Sequence, residues 1–280
     1  MTPYVAATAW LPVVAALALR RRAVALVAAA AAGVLFAAVL PRALGGERVP
    51  SSANGPTLRV MSANLYVGRA DMAAIVRLAR EEDVDVLSLQ ELTPAAVARL
   101  DAAGGRALFP ARALRARPGA AGSGLLARLG LRDRSPDDLT SAAQPEAGLR
   151  LPGAQPVRIK AVHPRPPISA RSTSSWRASI GRLPRPGARP RGPLRVLAGD
   201  FNATLDHRAF RGLVDDGYVD AADATGSGLA ATWPRGRAWP PITIDHVLLD
   251  ERLGVRSFSV HDVPGSDHRA VVAELVLPRG

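Results

Sequence analysis

Five short apolar runs in this chain each border a residue that can ligate a metal or carry a proton, which limits the folds open to it. Leu58–Asn64 stops on an amide, and Val84–Leu89 runs into Gln90-Glu91. Val157–Val162 stops at His163, and Leu194–Ala198 stops before Gly199-Asp200-Phe201-Asn202. Asp267-His268 stands just ahead of the last run, Val271–Leu277. Runs of this length and composition predict strands. Between them, Ala70–Glu82 sets Met72, Ile75, Val76 and Ala79 at helical spacing behind Asp71, Thr93-Pro94 opens a helix through Leu100, and His207–Asp215 predicts another. Gly122–Leu131 and Ile242–Leu249 read as further strands, whereas Gly104–Ala121, Arg132–Gln144 and Pro164–Pro193 read as loops. This alternation predicts an α/β or α+β domain with a large sheet content. In layered folds of that kind strand ends converge on one rim, where sites are built. A single carboxylate after a strand is as readily a turn residue or helix cap. Five polar strand ends in one domain point to a site.

Composition narrows the chemistry. The 280 residues include no cysteine, which excludes a disulfide scaffold, a thiolate zinc site, a thiol nucleophile and a cysteine-linked lipid anchor. Aromatics at 4% are too few for a nucleic-acid reader built on stacking platforms. The net charge of +12 suggests a polyanion partner, but all the basic residues except Lys160 are Arg, which coding bias also produces. The charge is unevenly spread: residues 1–50 carry +4, 51–146 carry +1, 147–199 carry +11 without one acid, and 200–280 carry −4.

Residues 1–46 read as a membrane segment of one or two helices, over 4–19 and 23–40, with Arg20-Arg21-Arg22 between the two uncharged runs. As helices they would extend roughly 24 and 27 Å, short but workable against a hydrocarbon core of about 30 Å. A buried Ala-rich hairpin and a cleaved signal peptide are the alternatives, and the second lacks a small-x-small site after Val39-Leu40-Pro41. The positive-inside rule puts the Arg triplet in the cytoplasm and the chain after Leu40 outside, which predicts a cell-membrane protein with an extracytoplasmic domain. Residues 47–57, rich in Pro, Ser, Asn and Gly, read as the linker, and 58–280 as the domain.

Residue chemistry then gives roles to the strand ends. Asp200 and Asn202, two apart on an extended loop, can point the same way and hold a water and a phosphate oxygen. Asp267 and His268 can divide between a hard cation and a phosphate. Asp245 interrupts an apolar strand, where an unpaired charge is costly, and His268 is its natural partner. His246 reads as structural, and His207 and His261 have no assigned role.

The segments LRVMSANL, DVDVLSLQEL, VHPRPP, LAGDFNAT, IDHVLLD and GSDHRAVVAEL, in this order over residues 58–277, resemble the endonuclease/exonuclease/phosphatase superfamily, the deoxyribonuclease-like metal-dependent phosphoesterases. The chain is similar to those members that carry an N-terminal membrane segment. The resemblance implies a four-layer αββα sandwich of two mixed β-sheets. It further implies Glu91 as the principal ligand of Mg2+, or Mn2+, with Asn64 and Asp267 completing the site. Asp200 would orient or deprotonate the attacking water, and Asn202 would hold it and the phosphate. His163 and His268 would stabilise the transition state, with Asp245 orienting His268. Oxygen donors suit a hard cation. The chain departs from the pattern at Tyr66, where many members carry a second Asn or Asp.

These features predict a membrane-anchored hydrolase that breaks phosphodiester or phosphomonoester bonds by in-line attack of water. The substrate is a nucleic acid or a lipid head group, with no obligate protein partner. For a nuclease, Arg165, Arg171 and Arg177 would meet phosphates, along with Arg182, Arg185, Arg189 and Arg191 of the same loop. That stretch could equally be a solvated insertion, or could face anionic lipid. A phospholipid or sphingolipid phosphodiesterase and a catalytically silent anchored binding module are the alternatives.

Overall fold

The computed structural model describes residues 2–45, 55–134, 142–187, 192–236 and 240–280. Linker residues 47–54, Arg189 and Arg191 lie outside them. The chain opens with α1 (Thr2–Thr8), α2 (Leu11–Ala18), α3 (Arg22–Val39) and α4 (Pro41–Leu44). Next come β1 (Thr57–Asn64), α5 (Met72–Glu81), β2 (Val86–Gln90), α6 (Pro94–Ala102), α7 (Gly105–Leu108), β3 (Ala111–Arg115), β4 (Ser123–Ala127) and β5 (Leu131–Asp133). The second half holds β6 (Glu146–Leu149), β7 (Val157–Val162), α8 (Ala170–Gly181), β8 (Leu194–Asp200), α9 (Arg208–Asp215) and β9 (Tyr218–Asp220). It closes with α10 (Ala221–Ala224), β10 (Asp245–Asp250), β11 (Gly254–Asp262) and β12 (Arg269–Val276).

Two six-stranded mixed sheets form, in the orders β11-β12-β1-β2-β4-β3 and β5-β6-β7-β8-β10-β9. Each has one parallel pair near its middle, β1 with β2 and β7 with β8, and the other pairs are antiparallel. The strands' period of two divides their side chains between two layers. Leu58, Val60, Val86, Ile159, Ala161, Val196, Ala198, Val247 and Val271 fill the space between the sheets. Met61, Ala63, Leu87 and Leu89 face outward onto Ile75, Val76 and Ala79 of α5 and Leu100 of α6. Val162, Leu197 and Leu248 face outward onto Trp176 and Ile180 of α8 and Phe210 and Leu213 of α9. The result is the predicted four-layer sandwich, in which each fully buried Leu, Ile or Phe contributes roughly 1.5–3 kcal/mol.

The same parity aims the polar strand ends. Counting in twos from the inward residues, the next positions are Asn64 on β1, His163 after β7, Asp200 on β8 and Asp245 on β10, so all four point between the sheets at one end.

The structure corrects several segments. Pro164–Pro193 is not one loop, because α8 forms inside it. Ser169 and Ser172 make a reciprocal capping box, and Trp176 and Ile180, four apart, give the helix a buried face. β3, β6, β9 and β11 arise from stretches without a clear apolar run; β11, at a sheet edge, has Arg256 and Ser257 exposed and Ser259 and His261 partly buried. The strand expected over Ile242–Leu249 starts only at Asp245.

At the N-terminus, α1 and α2 pack against α3 as a hairpin with Arg20-Arg21-Arg22 at its bend. The helical stretch Arg22–Leu44 is long and apolar enough to cross a membrane by length and composition, and contains an 18-residue window with a mean hydropathy of 2.6. Leu11, Val14, Leu17, Leu19, Leu26, Val27 and Val34 of the hairpin are exposed.

The parallel β7–β8 pair approaches closely at Gly199, where a Cβ would lie 1.9 Å from the Val162 carbonyl oxygen. The atoms met are all Val162 backbone, which leaves no side chain to give way. Gly199→Ala should therefore destabilise the protein by on the order of 3 kcal/mol, the upper range for overpacking. Urea denaturation of the detergent-solubilised chain measures this, and an unchanged midpoint would contradict the close approach.

Candidate active site

Asp200 is the meeting point of the strand ends. It closes β8 with only 2% of its surface exposed. Its Oδ2 accepts from Asn64 Nδ2 at 3.0 Å and lies 3.8 Å from both His163 Nε2 and His268 Nε2. Its Oδ1 accepts from the Asn202 backbone N–H at 2.8 Å. Asn64 comes from one sheet and Asp200 from the other, so the contact bridges the sandwich. Glu91 follows β2 directly. Its Oε1 accepts from Asn64 Nδ2 at 3.3 Å and lies 3.7 Å from His163 Nε2, while its Oε2 accepts from the Val67 N–H at 2.6 Å.

Asp245 lies opposite Asp200 in the antiparallel β8–β10 register and is fully buried. Two facing carboxylates in a dry interior require nearby positive charge. His268 supplies it, with Nδ1 2.9 Å from Asp245 Oδ2 and Nε2 turned to Asp200. Burial works against charge on this imidazole, but Asp245 and Asp200 outweigh it and hold its pKa up at about 10. Among the described residues, Asp200, Asp245 and His268 form a buried group whose ligand atoms lie within 4.8 Å of one another. The 2.9 Å ion pair already satisfies two members of that trio. The oxygens beside that trio are those of Glu91, with Asn64 turning its Nδ2 to both Glu91 and Asp200 and its Oδ1 to the Tyr66 N–H.

The backbone is held under strain around these groups. Tyr66 (φ +47°), Val67 (+56°), Glu91 (+56°) and Asn202 (+49°) all adopt the left-handed region without being glycine. For Val67, β-branched, this is costly, and such conformations persist where surrounding contacts over-determine them. Here the contacts are Val67 N–H to Glu91, Tyr66 N–H to Asn64 Oδ1 at 2.9 Å, and Asn202 Nδ2 to the Pro164 carbonyl at 3.0 Å.

The remaining expected residues are placed differently. Asp267 is turned toward Trp233, whose Nε1 donates to Oδ2 at 3.3 Å. Arg165 is exposed two residues beyond His163, and Arg171 and Arg177 are exposed on α8. Arg185 is taken up by Asp216 at 2.7 Å. His246 is buried between Asp220 at 2.7 Å and the Ala203 carbonyl at 2.9 Å, on the outward face of β10. His207 meets Thr204, and His261 meets Ser259 and Glu82.

Several supporting residues escaped the sequence reading. Ser266 Oγ donates to the Asn64 carbonyl at 2.7 Å and accepts from the His268 N–H at 3.1 Å, pinning the 266–268 turn to β1. Gln144 Oε1 accepts from the His163 N–H at 3.3 Å, and Thr232 Oγ1 accepts from the Asp245 N–H at 3.1 Å. Beneath the site Ser62 donates to Gln90, Gln90 to Ser88, and Ser88 to the Ala198 carbonyl of the other sheet. Ser62 and Ser88 were visible as polar residues at inward positions of apolar strands, whereas Gln144 and Thr232 carry no local signal.

A model of the endonuclease/exonuclease/phosphatase family matches residues 61–268. No protein of curated function matches the sequence. Among solved structures, an endonuclease/exonuclease/phosphatase protein from Beutenbergia cavernae is similar at 20% identity and a TM-score of 0.60, over 79% of this chain and 72% of that one. TDP2 from Caenorhabditis elegans is similar at 19% identity and 0.61, over 81% and 77%. D. rerio TDP2 complexed with single strand DNA product is similar at 17% identity and 0.59, over 78% and 98%. At these identities the likeness is one of fold.

The His268 pair has a pH signature. Its pKa is raised from 6.5 to about 10 in the folded chain. Its stabilisation is therefore fully present below about pH 6.5 and lost as pH rises through about 10. The wild-type unfolding midpoint should exceed that of His268→Gln most at pH 6 and the gap should narrow toward pH 10.5. A gap that widens with pH would reverse the sign of the interaction.

Proposed function

The chain belongs to the endonuclease/exonuclease/phosphatase family, and from that premise we propose that it is a membrane-anchored, Mg2+-dependent phosphodiesterase of nuclease type. The observation that carries the reading is the convergence of Asn64, Glu91, His163, Asp200 and His268, from both sheets, around one buried carboxylate.

Asp200 takes the role of orienting the attacking water and accepting its proton, since its Oδ2 lies between two imidazoles. Asn202, fixed through Nδ2 to Pro164, keeps its amide oxygen for the same water and the phosphate. His163 and the cationic His268 neutralise the non-bridging oxygens as charge develops, and Asp245 keeps His268 oriented and protonated. Glu91 and Asn64, with Asp267, would hold Mg2+ or Mn2+, which supplies charge neutralisation at the phosphate and leaving oxygen. The donor set fits: carboxylate and amide oxygens, in a chain without cysteine. Arg165, Arg171 and Arg177 remain the candidates for flanking phosphates.

A nucleic-acid substrate is supported by the similar D. rerio TDP2 structure, which holds a single strand DNA product. A lipid phosphodiester is the second reading. It is favoured by Val67, 40% exposed next to Glu91's loop, and Ile168, 86% exposed just after His163, on a domain tethered by an apolar hairpin.

The test is turnover by the full chain in detergent on plasmid DNA, RNA, phospholipid and a generic aryl diester, with Mg2+ or with chelator. Asp200→Ala and His268→Ala should each lower kcat/KM by about 100-fold or more while the chain stays folded. Full activity in both variants, or none on any phosphoester by the wild type, would sink the assignment. For the anchor, Arg20-Arg21-Arg22 at the hairpin bend belongs in the cytoplasm. A topology reporter fused after Gly280 should then read extracytoplasmic, and a cytoplasmic signal would overturn that orientation.

A further inference from the structure

The outward face of the second sheet, at the end away from the catalytic strand ends, carries a row of arginines. Register places Arg132 opposite Gly148, Gly148 opposite Arg158, and Arg158 opposite Arg195, across β5, β6, β7 and β8. Their neighbours Leu149, Val157, Ile159, Leu194 and Val196 point into the space between the sheets, so this row points out. Directly opposed residues share a face, and like charges so placed destabilise a sheet. Gly148 makes a gap in the row, and the Arg134 side chain crosses it, with Nε 3.1 Å from where a Cβ would stand. Arg132, Arg134, Arg150 and Arg158 line a cavity of about 490 Å³ there. Glu146 is the carboxylate at hand, 3.3 Å from Arg195 and 4.0 Å from Arg158. Among the described residues, no carboxylate forms an ion pair with Arg132, Arg134 or Arg150. Asp133, between the first two, is 2.9 Å from Arg115.

We propose that this arginine-lined trough is a second anion site, separate from the catalytic centre, that takes a small soluble molecule carrying two or more phosphates. The distance along β7 from Arg158 to His163 is about 16 Å, so one compact ligand cannot fill both places. A cavity of this volume matches a small ligand rather than a polymer groove. Four guanidinium forks converging, with Glu146 beside Arg158 alone, favour multiple phosphates over one. The site does not depend on the phosphodiesterase reading.

The experiment is calorimetric titration of the full chain in neutral detergent with inorganic tripolyphosphate, in chelator so that no divalent ion bridges ligand to the catalytic cluster. One-to-one binding is expected, at least tenfold tighter than orthophosphate. Arg132→Gln with Arg150→Gln removes two guanidiniums from exposed positions and should weaken binding at least tenfold. Gly148→Leu keeps every charge but fills the trough, and should weaken it as much. Arg208→Gln with Arg256→Gln, the same charge change elsewhere, should leave affinity unchanged. Circular dichroism checks that each variant is folded, and a Gly148→Ala variant replaces Gly148→Leu if the latter is not. Three results would overturn the proposal: no wild-type binding at millimolar tripolyphosphate, equal weakening by the control pair, or a single-stranded oligonucleotide binding this face more tightly than tripolyphosphate.

Discussion

The structure depends on how a carboxylate can be kept at the junction of two sheets. Asp200 is nearly inaccessible and faces Asp245 in register. Without compensation either charge would be expelled or neutralised. Compensation arrives from three directions: the Asn64 amide from the other sheet, the His163 and His268 imidazoles, and the Asn202 backbone N–H. Each partner is useful only if the two sheets are held in one relative position. The Ser62–Gln90–Ser88 chain does part of that, running from β1 through β2 to the Ala198 carbonyl on β8. Ser266 does another part by tying the 266–268 turn to the Asn64 carbonyl. Removing either network would free the sheets to slide at the place where charge balance is most demanding.

The N-terminal hairpin meets the domain close to this region, at Asp206, four residues past Asn202. The Thr2 N–H donates to one carboxylate oxygen at 2.7 Å, and Arg42 Nη1 to the other at 2.9 Å. Burial alone would raise the Asp206 pKa, but hydrogen bonds from the N-terminal end of the chain, including Thr2, and from Arg42 hold it well below the usual carboxylate range. Arg42 also accepts, through its carbonyl, the Gly228 N–H at 3.0 Å, and Tyr4 bonds the Pro241 carbonyl. Both ends of the hairpin thus converge on one acidic residue, while Arg20-Arg21-Arg22 stands at the far bend.

Charge has two fates in this molecule. Of the acid-free stretch 147–199, Arg158 and Arg195 lie on the outward face of the second sheet, Arg171 and Arg177 on the surface of α8, and Arg185 in an ion pair with Asp216. The stretch is therefore not one basic loop beside the polar strand ends. Its positive charge is divided between the rim side and a trough at the opposite end of the strands. Long-range attraction of polyanions follows from the net charge, but where they would dock depends on this division.

Much of the polar cluster at the strand ends was legible in the chain itself. Alternation is strict, so once Val60, Ile159, Ala161, Val196, Ala198 and Val247 are assigned inward, parity commits Asn64, His163, Asp200 and Asp245 to the same space. Helices with clean spacing and caps, such as α5 behind Asp71, were also legible. α8 was missed because its amphipathic signal is weak and set among prolines. Gln144 and Thr232 were missed because their roles need backbone brought from distant loops. The sequence by itself determined which residues face inward, because side-chain direction in a strand is a local property of the backbone. Only the tertiary structure decided which inward residues meet, that Asp267 turns to Trp233, and that Arg132, Arg134, Arg150 and Arg158 line one trough. Those outcomes depend on strand order and register, which long-range packing sets and no local pattern encodes.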